Sequence, residues 1–193
     1  LDNEPYSYQL WRTDGTTAGT ILLKKLAGIP DYISIQSLTD VNGVLYFVGF
    51  DVTNGFEIWK SDGTIAGTAF VKDVNPGDGD GFFGYTKPSN LTNLNGILYF
   101  SEENGINGEE LWKSDGTNSG TVLVKDIYTG ANGSSIQNLK NLGGTLYSLI
   151  GVTSGIGSSA VCTAEASGSV TVTVNAGTIY YTDADGDTYG DLS

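Results

Sequence analysis

Three stretches of this chain align with one another without a gap, and that internal repeat limits the fold more than any other feature. The stretches run from Gln9 to Thr20, Glu57 to Thr68 and Glu110 to Thr121, and share the pattern W-x-x-D-G-T-x-x-G-T. Their tryptophans, Trp11, Trp59 and Trp112, lie 48 and then 53 residues apart. Between them a second motif recurs as Asn42-Gly43-Val44-Leu45-Tyr46-Phe47, Asn95-Gly96-Ile97-Leu98-Tyr99-Phe100 and Gly143-Gly144-Thr145-Leu146-Tyr147-Ser148. A third follows each tryptophan segment: Leu22 to Leu26, Phe70 to Val74 and Leu123 to Ile127. A period this long, made of short aromatic and β-branched runs, holds about four strands. Asn-Gly at 42–43 and 95–96 is the signal for a type I′ hairpin turn, and Asp-Gly inside each tryptophan motif opens a longer turn.

The strands expected from these signals are 9–14 and 20–26, then 33–39, 44–49, 56–61 and 68–74, then 89–94, 97–101, 109–114 and 120–127, then 135–140 and 145–150. No stretch carries a sustained 3.6-residue apolar period, so no long helix is expected. The 28 glycines against 4 prolines fit many tight turns.

These motifs resemble the ELWxxDGT repeats of large bacterial surface and secreted proteins, which are considered propeller-like. The resemblance covers about residues 9–150. It departs in the first copy, with Gln9 for Glu and Arg12-Thr13 for Lys-Ser, and in the last Leu-Tyr-Phe copy, which ends in Ser148. It implies an all-β fold of β-propeller-type four-stranded blades, about three of them, as an incomplete or open arc. Closed propellers commonly need four or more blades. Further blades from a larger parent, self-association or packing on a partner domain would cover the open edges.

Residues 1–150 read as the repeat domain. Residues 151–159, rich in Gly and Ser, read as a linker. In 160–193, Val170 to Val174 alternates as a strand and resembles the last strand of an adhesin-type immunoglobulin-like domain. Beyond it, Asp183, Asp185 and Asp187 stand at alternate positions, with a Tyr189 carbonyl and Asp191 after them. That spacing suits a loop wrapping a hard cation such as Ca2+. The stretch resembles thrombospondin type 3 calcium repeats, although its glycine comes one position early for an EF-hand and no Glu closes the loop.

Composition removes several functions. A net charge of −13, from 22 acidic and 9 basic residues, opposes nucleic acid and anionic lipid. No apolar run is long enough to span a bilayer. His is absent, and with it the commonest general base. Met is absent too, which suggests a processed or excised piece of a secreted protein. The single Cys162 makes no internal disulfide.

Asp14, Asp62 and Asp115 recur identically, whereas catalysis needs differently tuned groups, so they are expected to build turns. One tryptophan per repeat is expected in the core between blades rather than as a sugar platform. Lys24, Lys72 and Lys125 are expected on solvated faces or paired with Glu57 and Glu110. Glu102-Glu103 and Glu109-Glu110 are expected in a loop-rich stretch, with no glycosidase role. Phe82, Phe83 and Tyr85 break the repeat and form the expected ligand or partner contact. The function implied is a non-catalytic structural or adhesive module of an extracellular or cell-surface protein. A carbohydrate-binding propeller is the alternative, and a glycan-active hydrolase a more distant one.

Overall fold

The computed structural model describes residues 7–27, 35–76 and 86–151, and the backbone of two further strands at 159–164 and 170–175. Phe82, Phe83, Tyr85 and the Asp183–Asp191 loop lie outside the described residues. The chain is all-β, with no helix among the described residues. The fourteen strands among the described residues are β1 (Ser7–Arg12), β2 (Ile21–Ala27), β3 (Ile35–Val41), β4 (Val44–Asp51), β5 (Gly55–Ser61), β6 (Ala69–Lys72), β7 (Ser89–Leu94), β8 (Ile97–Glu103), β9 (Glu109–Ser114), β10 (Val122–Lys125), β11 (Ile136–Leu142), β12 (Thr145–Gly151), β13 (Ser159–Ala164) and β14 (Val170–Asn175). They form one two-stranded sheet, β1-β2, and three four-stranded antiparallel sheets in chain order, β3 to β6, β7 to β10 and β11 to β14.

Local chemistry explains the meander. Asn42 and Gly43, Asn95 and Gly96, and Gly143 and Gly144 all have positive φ, between 52° and 84°, as a type I′ turn requires. A side-chain oxygen two or three residues earlier braces each turn: Asp40, Asn93 and Asn141 each accept from the N–H of the turn's second glycine or equivalent, at 2.8–3.1 Å. The first strand of each four-stranded sheet also carries a bulge, with Ser37, Asn90 and Asn138 at φ near 57° and a register shift around each.

The sheets stack face to face in sequence. Leu10, Leu23 and Leu26 of the first sheet meet Phe47 and Trp59 of the second. Tyr46, Val48, Phe50 and Ile58 leave the other side of the second sheet and meet Leu98, Phe100 and Trp112 of the third. Tyr99 and Leu111 then meet Ile136, Leu139, Leu146 and Ile150 of the fourth. Middle strands are therefore covered on both faces, and β5 is buried at every position from Gly55 to Trp59. Each fully buried large apolar side chain contributes about 1.5–3 kcal/mol.

Polar bonds tie the layers together. Asn93 Nδ2 donates to the Asp40 carbonyl at 3.2 Å and Asn141 Nδ2 to the Asn93 carbonyl at 2.9 Å. Lys60 Nζ reaches the Gly116 carbonyl at 2.7 Å, and Lys72 Nζ the Thr121 carbonyl at 2.8 Å. Sheet pairing also continues past residue 150. β12 pairs with β13, Gly151 opposite Ser159, and β13 pairs with β14. The strand expected at 170–174 lies within β14.

Candidate functional site

The D-G-T turns come first, because the sequence repeats them so closely. In each, one aspartate oxygen accepts two bonds from the threonine two residues on. Asp14 Oδ1 takes the Thr16 N–H at 2.9 Å and hydroxyl at 2.7 Å. Asp62 takes the same pair from Thr64, and Asp115 from Thr117. The threonine hydroxyl then accepts from Gly19, Gly67 or Gly120, each at 2.9 Å. The hydroxyl of Thr20, Thr68 or Thr121 closes the turn on the first threonine's carbonyl. A Cβ at Gly19, Gly67 or Gly120 would run into the aspartate carboxylate, which accounts for the second glycine of the motif. The threonine side-chain bond, then its backbone N–H, hold all three carboxyls below their ordinary range. Three exposed aspartates that stay ionised and spend the same oxygen on their own turn are turn-builders.

The turns also grip the neighbouring sheet, to different degrees. Gly15, Gly63 and Gly116 share a positive φ of 85–88°. A Cβ on Gly116 would strike the Tyr46 hydroxyl and approach Lys60, whereas one on Gly15 would meet nothing. Gly116→Ala is therefore expected to cost about 1–3 kcal/mol more than Gly15→Ala. Both pay the same left-handed penalty, so the difference isolates the inter-sheet contact. Equal urea midpoints for the two variants would refute that docking.

The tryptophans divide. Trp59 and Trp112 are 6% and 7% exposed, each packed on the preceding sheet. Trp11 departs from the expected core position at 51% exposed, because no sheet lies on its side among the described residues. Its indole N–H turns instead to Gln9 Oε1 at 3.0 Å.

Lys125 is exposed, as expected, whereas Lys24 and Lys72 depart. Lys24 sits 5.1 Å over the Trp59 ring and Lys72 holds the Thr121 carbonyl, so neither pairs with Glu57. Glu57 and Glu110 are buried in middle strands instead. Glu57 Oε1 accepts from the Val74 and Asn75 N–H groups at 2.9 and 3.3 Å. Glu110 accepts from Ile127, Tyr128 and the Ser134 hydroxyl. Each carboxyl thus organises the chain just after the neighbouring strand.

Beside each lies an aspartate. The pairing of Ile58 with Lys72 brings Glu57 next to Asp73, and that of Leu111 with Lys125 brings Glu110 next to Asp126. Glu57 Oε2 and Asp73 Oδ1 are both buried and accept no bond from an N–H or hydroxyl donor. A hydrogen bond between the Glu57 and Asp73 carboxyls needs a proton on one of them. Burial first, and then the adjacent Asp73 carboxyl, push Glu57 up to about 8 against the pull of its two N–H donors. Burial also raises Glu110, against its three donors.

These acid pairs were not singled out from the sequence as pairs. The signal that reveals them is a coupled change: where the second and third repeats have Glu and Asp, the first has Gln9 opposite Lys25. Glu102, Glu103, Glu109 and Glu110 lie in strands β8 and β9 rather than in a loop. No cluster of three or more metal-ligating side chains occurs among the described residues. A modest cleft of about 230 Å³ is lined by Thr86, Lys87, Ser89, Glu103 and Glu109. No helix among the described residues is long and apolar enough to cross a membrane.

Compared with family models, with curated proteins and with solved structures, the chain matches none.

Proposed function

We propose that this chain is a non-catalytic structural or adhesive module of a large secreted or cell-surface bacterial protein, its stacked sheets serving as propeller-type blades. One observation carries the reading. The residues that recur most faithfully, Asp14, Asp62 and Asp115, are consumed by their own turns, with the same bonds three times over. The sequence therefore invests in architecture. The resemblance to ELWxxDGT repeats, the charge of −13 and the absence of His point the same way. The Asp183, Asp185, Asp187, Tyr189 and Asp191 loop is the proposed Ca2+ ligand set, and Phe82, Phe83 and Tyr85 the proposed contact patch for a protein or glycan.

Antibody against the chain is expected to label intact source cells or their medium. Labelling only after lysis overturns the extracellular placement, and turnover of any glycan or peptide substrate by purified chain overturns the non-catalytic part. Calorimetry tests the calcium loop: binding is expected at millimolar Ca2+ and lost in Asp185→Asn, and absence of heat from the intact chain rejects it.

A carbohydrate-binding reading draws support from the exposed indole of Trp11, a surface on which a sugar ring can stack. A glycan array with no ligand whose binding depends on Trp11 removes it.

A further inference from the structure

Asn-Gly occurs six times in the sequence, at Asn42, Asn54, Asn95, Asn104, Asn107 and Asn132. The dipeptide is chemically labile, because glycine has no side chain to keep its nitrogen away from the asparagine amide. Attack needs two groups at liberty: the glycine N–H as nucleophile and the asparagine side chain as electrophile. Five of the six have one of them engaged. Asp40 Oδ1 accepts the Gly43 N–H at 2.8 Å and Asn93 Oδ1 that of Gly96 at 3.0 Å, which holds the nucleophiles beside Asn42 and Asn95. Asn54 Nδ2 donates to both oxygens of Asp51, at 3.1 and 2.9 Å. Asn104 Oδ1 accepts the N–H groups of Ile106 and Asn107, and Asn107 Nδ2 donates to Asp126 at 2.7 Å. Asn132 differs. It is exposed in the turn between β10 and β11. Among the described residues, neither its side chain nor the Gly133 N–H makes a hydrogen bond.

We infer that Asn132 is a site of spontaneous covalent modification, a deamidation that converts it to aspartyl and isoaspartyl. The Gly133 nitrogen attacks Asn132 Cγ and gives up its proton to the departing amide. An N–Cγ bond forms, the Cγ–Nδ2 bond breaks and ammonia leaves. Water then opens the five-membered imide at either carbonyl. Water is the one reactant added, and no electrons are exchanged. Opening at the main-chain carbonyl routes the backbone through the side chain and lengthens it by one carbon at a tight place. A Cβ on Gly133 would already run into the Glu109 backbone nitrogen. The next residue, Ser134, is tied to the Glu109 carbonyl through its N–H at 2.8 Å and to Glu110 Oε2 through its hydroxyl at 2.7 Å. The isoaspartyl form therefore loosens the joint that leads from the third sheet to the fourth.

Peptide mapping by mass spectrometry tests this on the full chain, incubated at about 37 °C and a pH of about 8. In buffer, Asn132 is expected to convert at least about fivefold faster than each of the other five, the factor that one net hydrogen bond contributes. In concentrated urea, which frees all six, the rates are expected to converge. No conversion at Asn132, or another Asn-Gly converting as fast in buffer, overturns the inference. The same order in urea does so too, because it traces the difference to sequence rather than to structure. Asp40→Ala releases the Gly43 N–H but keeps the carbonyl that Asn93 holds. It is expected to bring Asn42 toward the rate of Asn132, and an unchanged Asn42 removes the held N–H as the protection and overturns the inference. The purified isoaspartyl form is expected to melt below the fresh chain; equal melting overturns the loosened joint.

Discussion

Trp112→Ala is expected to cost about 3–5 kcal/mol of folding stability, the range for removing a buried indole. Trp112 is 7% exposed and closes the layer between the second and third sheets, against Tyr46, Val48, Phe50 and Ile58. Its N–H donates to the Glu102 carbonyl at 3.2 Å, so truncation also leaves a buried acceptor one bond short. The same substitution at Trp11, half exposed at the open end, is expected to change stability by no more than about 0.5 kcal/mol in dilute solution. Both residues stand at the same place in the same motif, so sequence alone predicts equal losses. Chemical denaturation of the two variants decides between position in the motif and position in the stack. Equal losses would contradict the layer order described above.

A second large effect comes from pH. Glu57 keeps its proton up to about 8 in the folded chain, whereas its ordinary value is 4.5. Between those values the unfolded chain has released the proton and the folded chain holds it, so folding takes a proton up. Stability therefore falls as pH rises from about 4.5 to about 8 and levels off above, by an amount on the order of a few kcal/mol. Glu110, raised by the same burial, adds a slope of the same sign. Asp14, Asp62 and Asp115 act at the acid end in the opposite sense: their contribution is present above their ordinary range and is lost as pH falls through the lowered values. Glu57→Gln keeps an acceptor for Val74 and Asn75 and a donor toward Asp73, but does not titrate. Its urea midpoint is expected to fall less between pH 5 and pH 8.5 than that of the wild type, and to exceed it at the alkaline end. Parallel curves for the two proteins would exclude a protonated Glu57.

The strands and turns were legible in the sequence because they are local. Asn-Gly at 42–43 and 95–96 needs only its own positive φ, and Asp62 needs only Thr64. The expected strand positions agree with β1 to β12 to within a few residues at most ends. What lay beyond the sequence depends on which layer faces a residue. The W-x-x-D-G-T-x-x-G-T core around Trp11 is the same as that around Trp59; the difference in burial is a missing neighbour. Glu57 looks like a solvated charge until β5 is seen to be covered on both faces. The bulges at Ser37, Asn90 and Asn138 were missed for another reason. Asn tolerates the left-handed region, yet Asn inside a strand is ordinarily read as a solvent-facing position rather than a kink.

The asparagine ladder has a bearing on how such a chain gains and loses length. Asn141 Nδ2 reaches the carbonyl of Asn93, and Asn93 Nδ2 that of Asp40, the corresponding position one sheet earlier. The third and fourth sheets thus each address their immediate predecessor through a backbone atom, which any residue supplies. A gene duplication that inserts one whole period, or a recombination that deletes one, rejoins the same donor to an equivalent carbonyl. Copy number can drift without compensating substitutions, and selection on it can act on reach and avidity rather than on folding.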